Sequence, residues 1–100
     1  MTPFEAIGDP NRRRILELLR AGERPAGELL AGLGLSQPGL SKHLKTLREA
    51  GLVSRRPDGQ RRLYRLEPEQ LGELDDWLQP FRTFWSERLD ALDDHLNKEQ

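Results

Sequence analysis

The chain has 100 residues, 16 Lys and Arg against 17 Asp and Glu, 35 % hydrophobic residues and no cysteine. That is enough for a single domain with one modest core, and it excludes disulfides, thiolate metal ligands and a cysteine nucleophile. No basic segment followed by an apolar run opens the sequence, and no stretch approaches the roughly 20 apolar residues that cross a bilayer, so no membrane partner is expected and the expected compartment is the cytoplasm.

A short helical stretch is predicted around Phe4 to Ile7. Asp9-Pro10 then reads as a helix start, with Asp9 as the N-cap and Pro10 in the first helical position. Ile15, Leu16, Leu18 and Leu19 supply an apolar stripe, and Gly22 stops it. Ala26 to Leu33 is a second amphipathic helix carrying Leu29, Leu30 and Leu33, followed by a tight connection at Gly34. Ser36 is the strongest start signal. It is a good N-cap, Pro38 lies in the first turn, and Leu35 and Leu40 occupy the two positions of a hydrophobic staple, which sets the angle of entry into the helix. Leu40, Leu44 and Leu47 form its apolar face, and Gly51 ends it. Two helices joined by a short glycine-containing turn make a helix-turn-helix over 26–50.

Beyond Gly51 the periodicity changes to that of strands. Leu52 to Arg56, a turn at Pro57-Asp58-Gly59, and Gln60 to Leu66 predict a β-hairpin, a wing over 52–66. From Pro68 the pattern is helical again, with a break or restart expected near Pro80. The expected fold is therefore mainly α with a small β-hairpin wing, a single winged helix-turn-helix domain in the order α-α-α-α-β-β-α.

The net charge of −1 hides a division. Residues 1–66 hold 13 Lys and Arg against 7 Asp and Glu, whereas residues 67–100 hold 3 against 10. A basic half generates a local field suited to phosphates, although a merely polarised surface would show the same balance. The helix beginning at Ser36 narrows the choice. Its apolar stripe turns Lys42 and Lys45 outward, with Gln37, Ser41 and His43 on the flanks. Gln can pair in bidentate fashion with adenine, Ser can donate or accept, and Lys can reach guanine edges or phosphates in a major groove. Backbone N–H groups near Ser36 and Gln37 also favour a phosphate. On the wing, Arg55, Arg56, Arg61 and Arg62, with Arg65, crowd one small hairpin. Like charges across a ribbon repel, so a phosphate-bearing partner is the better explanation. Double-stranded DNA is the expected partner. Arg12, Arg13 and Arg14 are read differently, as a run of which at least one member makes an internal ion pair.

Catalytic and metal chemistry find little support. No nucleophile–base pair or phosphate-cradling glycine loop stands out, so no enzyme activity is expected. His43 and His95 are the two histidines. Asp93, Asp94 and Glu99 lie near His95, but a transition-metal site needs three or four convergent ligands, and a solvated acidic helix is the preferred reading. No cofactor is expected. Trp77, Phe81, Phe84 and Trp85 place four large rings in an acidic helical end, followed by Leu89, Leu92 and Leu96. Two readings fit: a homodimer interface, with Phe4 and Ile7 joining from the N-terminus, or a pocket for an apolar effector. The interface is preferred, because a dimer would space two recognition helices by about 34 Å, one turn of DNA.

The runs GDPNRRRILELL at 8–19, ELLAGLGLSQPGLSKHLKTLREAGLV at 28–53 and RRPDGQRRLYRL at 55–66 together resemble ArsR/SmtB-type winged-helix repressors of bacteria. The resemblance implies a homodimer built from the terminal helices (1–8 and 68–97), bound to an imperfectly palindromic operator until an effector, a metal or an unknown small molecule, releases it. It does not extend to the metal sites of that family. Pro25 and Gly27 stand where its founding sensors carry cysteines, and Arg82 and Phe84 where others carry an Asp-x-His pair; of that second site only His95 could match. The run FWSERLDAL at 84–92 instead resembles the branch without metal sites.

Overall fold

A carboxylate starts the first long helix. Asp9 Oδ1 accepts from the backbone N–H of Asn11 at 2.7 Å and of Arg12 at 3.2 Å, and Pro10 follows in the position where no N–H is needed. This is a computed structural model of the chain, describing residues 1–98, with the side chains at 94 and 96–98 outside the described set. In chain order the elements are α1 (Pro3–Ala6), α2 (Pro10–Leu19), β1 (Arg24–Pro25), α3 (Ala26–Leu33), α4 (Gln37–Glu49), β2 (Val53–Asp58), β3 (Arg61–Leu66) and α5 (Pro68–Lys98).

The expected helices and hairpin are all present, and three details differ from expectation. The first is β1, a two-residue strand that makes the hairpin three-stranded in the order β1-β3-β2, all antiparallel, with Arg24 opposite Tyr64 and Pro25 opposite Leu63. Two residues cannot show a periodicity, and Pro25 fits because an edge strand can spare a donor. The second is the turn, which lies at Gly59–Gln60 instead of Pro57-Asp58-Gly59. Asp58 and Arg61 are the last pair of the ladder, and Gly59 takes φ +65°.

The third is α5, which runs unbroken for 31 residues with Pro80 inside it. Pro80 brings no N–H to the Asp76 carbonyl, a loss that ordinarily costs a helix about 3 kcal/mol. Here the segment is exposed, so water can take that carbonyl, and an Arg82–Asp75 ion pair ties the turns on either side of the proline.

The core is a leucine lattice. Ile15 and Leu19 of α2, Leu29 and Leu33 of α3, and Leu40, Leu44 and Leu47 of α4 meet Ala6, Leu52, Val53, Tyr64 and Leu74. Leu35 packs at the edge of this cluster, as the staple before α4 requires. At the end of α4, Gly51 takes φ +75°, and a Cβ there would sit 2.9 Å from Gln70 Cγ. The backbone then turns sharply: Leu52 N–H donates to the Leu47 carbonyl, and the Leu52 carbonyl accepts from Glu67 N–H, both near 3 Å. One small volume thus joins the end of α4, the base of the hairpin and the start of α5.

Among the described residues the arginine run 12–14 makes hydrogen bonds and no ion pair. Arg12 Nε donates to the Ala6 carbonyl at 2.6 Å, Arg13 to the Ile7 carbonyl at 2.8 Å and Arg14 to the Gly32 carbonyl at 3.4 Å. The carbonyls that end α1 have no helical partners, and guanidinium groups are suited to take them. Among the described residues α5 reaches the core through Leu71 and Leu74 of its first two turns, and the chain measures 63 Å in its long direction against 25 and 20 Å in the others. Among the described residues no helix is long and apolar enough to cross a membrane.

Asp9→Ala is expected to destabilise the fold by about 1 kcal/mol at neutral pH, as measured by urea unfolding. The Asp9 carboxyl is lowered from its ordinary 3.8. Its stabilisation is therefore present above 3.8 and lost as the pH falls through the depressed value, so the gap between wild type and variant closes on that descent.

Candidate nucleic-acid interface

The N-terminus of α4 is built by Ser36, whose Oγ accepts from Gly39 N–H at 3.1 Å. A Cβ on residue 39 would lie 3.1 Å from that oxygen, which accounts for glycine in the first turn. Ser36, expected as a DNA contact, thus has its side chain engaged in the cap, and what it offers outward is the polarity of the helix end. With Leu40, Leu44 and Leu47 buried, the opposite face carries Gln37, Ser41 and Lys45 at successive four-residue steps, with Lys42 beside them, all exposed. The row is a stripe of donors and acceptors along one side of a 13-residue helix. Lys45 lies 4.0 Å from Glu49, a surface pair too loose to hold it.

His43 stands apart from that row. It is half-buried, on the side of α4 that approaches the start of α2. Burial pushes the Asp9 carboxyl up, but the hydrogen bonds from Arg12 and Asn11 N–H, with the nearby charges of His43 and Arg12, carry it below its usual value. His43 is thus half-buried, unlike the exposed row beside it.

The hairpin separates its arginines by face. Ser54, Arg56 and Asp58 of β2 lie opposite Arg65, Leu63 and Arg61 of β3, on the face turned away from the helical core. There, Arg56 reaches across Leu63 and donates from Nε and Nη2 to the two carboxylate oxygens of Glu23, at 2.9 and 2.8 Å. Arg61 meets Asp58 at 3.0 Å. Arg65 meets Glu67 at 3.1 Å and Ser54 at 3.2 Å, and the Ser54 hydroxyl also donates to Glu67. The consequences appear in the carboxyls: the hydrogen bond from Arg56 holds Glu23 low, and those from Ser54 and Arg65 hold Glu67 low. The other face carries Val53, Leu66 and Tyr64, which pack on the core, then Arg55 and Arg62. Arg55 makes one long contact, 3.4 Å to the Tyr64 hydroxyl. Among the described residues neither Arg55 nor Arg62 has a carboxylate partner.

Repulsion among the hairpin arginines is thus relieved in good part within the chain, contrary to expectation. Glu23 was not legible as a partner of Arg56. The two are 33 residues apart, and only the pairing of β1 with β3 brings them together.

The aromatic end forms an exposed apolar band. Phe4 of α1 meets Trp77 edge to face at 5.7 Å, and Trp77 leans on Phe81 at 4.8 Å. Phe84 lies under the Arg88 guanidinium at 4.9 Å. Trp85 is 67 % exposed, and Leu89 and Leu92 more than half. Ile7 is half-buried at the margin of the core. The side chain of Leu96 lies outside the described residues. Leu78, Phe81, Phe84 and Trp85 border an open hollow of about 250 Å³. The side chains of Asp94 and Glu99, the carboxylates expected near His95 together with Asp93, lie outside the described residues. Pro25 lies in β1 and Gly27 in α3, neither with a ligating atom, and among the described residues no three His, Asp or Glu side chains are grouped for a cation.

Comparison with known proteins accords with this geometry. The family described as bacterial regulatory protein, arsR family, matches residues 9–55, from the cap of α2 into β2. The HTH-type transcriptional regulator Rv2034 of Mycobacterium tuberculosis is 44 % identical over 80 residues, covering 80 % of this chain and 75 % of the relative. The transcriptional repressor SdpR of Bacillus subtilis is 37 % identical over 78 residues, 78 % of this chain and 87 % of that one. A crystal structure of a possible transcriptional regulator for arsenical resistance superposes with a TM-score of 0.74 at 40 % identity, covering 92 % of this chain and 93 % of the other. An exposed polar stripe on the second helix of a helix-turn-helix, a basic hairpin beside it and these relatives lead to one assignment: the chain belongs to the arsR family of bacterial regulatory proteins and is a DNA-binding regulator of transcription.

Proposed function

We propose that the protein is a repressor that binds a two-fold symmetric operator as a homodimer in the bacterial cytoplasm. In this reading residues 26–50 enter the major groove, the 52–66 hairpin reaches the flanking backbone or minor groove, and segments 1–8 and 68–97 join two copies. Gln37 and Ser41 read base edges, and Lys42 and Lys45 anchor on guanine or phosphate.

The observation that carries the dimer is the apolar band of α5. Trp77, Phe81, Phe84, Trp85, Leu89 and Leu92 are each more than half exposed, and Phe4 continues the band from α1. A soluble chain of this size rarely leaves so large a contiguous apolar surface uncovered. A second copy, joined isologously, would cover it and would bring the two α4 stripes to a spacing of about 34 Å, one turn of duplex. An apolar effector in the hollow beside Trp85 is the weaker reading, because that hollow is open on the same surface a partner helix would close.

Footprinting on the DNA upstream of the protein's own coding sequence tests the whole proposal: a protected, two-fold symmetric site is expected, and no protection at low salt would refute it. Trp85→Asp should give monomers in sedimentation and lose operator affinity; a persistent dimer would place the interface elsewhere. Lys42→Ala should weaken binding to every duplex alike and flatten the salt dependence by about one unit, whereas Gln37→Ala should cost about 1–3 kcal/mol on the preferred site and little on others.

A further inference from the structure

The wing has five arginines, and the structure sorts them by partner. On the outer face of the hairpin Arg56, Arg61 and Arg65 each face a carboxylate: Glu23, Asp58 and Glu67. On the face that continues onto the helical layer, Arg55 and Arg62 face none among the described residues. We infer that Glu23 is a positioning residue that withholds Arg56 from DNA, occupying its guanidinium fork as a phosphate would, and that the wing engages phosphates through Arg55 and Arg62. The inference rests on the reading of the hairpin as a DNA-contacting wing and divides that wing in two.

Geometry separates Arg56 from the other paired arginines. Its bond to Glu23 is bidentate, with two nearly parallel N–H···O contacts at 2.9 and 2.8 Å, the same arrangement that a phosphate would offer. Arg61 and Arg65 each meet their carboxylate through one nitrogen, Nε. Glu23 is also the less accessible partner, its side chain 29 % exposed against 55 % for Arg56. It stands one residue before β1, so the sheet itself holds it in place. A carboxylate fixed in this way competes with a DNA phosphate without losing freedom of its own. The stem of Arg56 meanwhile crosses Leu63, which is 9 % exposed. The strap covers an apolar residue and neutralises a cation on the face turned away from the helices.

Salt dependence reads this division directly, because each phosphate neutralised steepens the fall of log K with log salt by about 0.9. The experiment titrates wild type and variants into a fluorescent random-sequence duplex of about 30 base pairs at several salt concentrations between roughly 50 and 200 mM. Glu23→Gln releases Arg56 and should steepen the slope by about 0.9, so that the fourfold rise in salt costs it about 3.5-fold more affinity than it costs wild type. Arg56→Gln, which keeps a stem over Leu63, should leave the slope where it is, and Arg62→Gln should flatten it by about 0.9. The Glu23→Gln/Arg56→Gln double variant should return to the wild-type slope.

Arg56→Gln flattening the slope as much as Arg62→Gln would overturn the inference, since the pair would then open on DNA. So would a Glu23→Gln slope that is unchanged or shallower. Steepening that persists in the double variant would show a general charge effect and overturn it equally. Absence of salt-dependent binding by wild type is a separate result and would refute the DNA-contacting wing itself.

Discussion

Burial of one side of α4 organises the rest of the molecule. Leu40, Leu44 and Leu47 are almost completely enclosed by α2, α3 and the base of the hairpin, and truncating any such leucine typically costs about 2–5 kcal/mol. A helix pinned by a narrow stripe has no choice about what it turns outward. Gln37, Ser41, Lys42 and Lys45 are exposed because the leucines are not, and the cap at Ser36 with the staple at Leu35 sets where the exposed row begins. The exposed polar row is thus a by-product of packing: the same four-residue step that builds the core spaces the polar groups.

The features legible in the sequence share one physical origin, namely interactions between residues close along the chain. The Asp9-Pro10 start, the Ser36 cap, the glycine stop at 51 and the strand alternation of 61–66 all act over a few residues, and each stands where expected. What escaped reading depends on distant partners. Strand β1 exists only because β3 offers it an edge, and Glu23 meets Arg56 only because β1 pairs there. Arg12 and Arg13 carry charge that suggested ion pairs, but the unsatisfied carbonyls at the end of α1 are nearer. Pro80 illustrates a local rule outweighed: with solvent to satisfy the orphaned carbonyl and an ion pair spanning the gap, a proline need not end a helix.

Charge is distributed to match. The basic two-thirds of the chain contains α4 and the hairpin, while the acidic remainder is α5, whose aromatic band lies among Asp and Glu. On the hairpin the carboxylates Glu23, Asp58 and Glu67 each stand beside one arginine, which leaves Arg55 and Arg62 without a carboxylate partner among the described residues. Counting arginines along the hairpin overstates its net positive charge, because three of the five stand beside carboxylates.

The junction at Gly51 has a mechanical meaning. The αL turn rests against Gln70, the Leu52 carbonyl is bonded to Glu67, and Leu52 itself is fully enclosed, so α4, the root of the hairpin and the first turn of α5 meet without slack. The 31-residue helix anchored at this joint connects its exposed aromatic half directly to α4 and the hairpin. In the proposed dimer, a partner helix on the aromatic half of α5 would be tied through this one joint to the orientation of α4 and the hairpin.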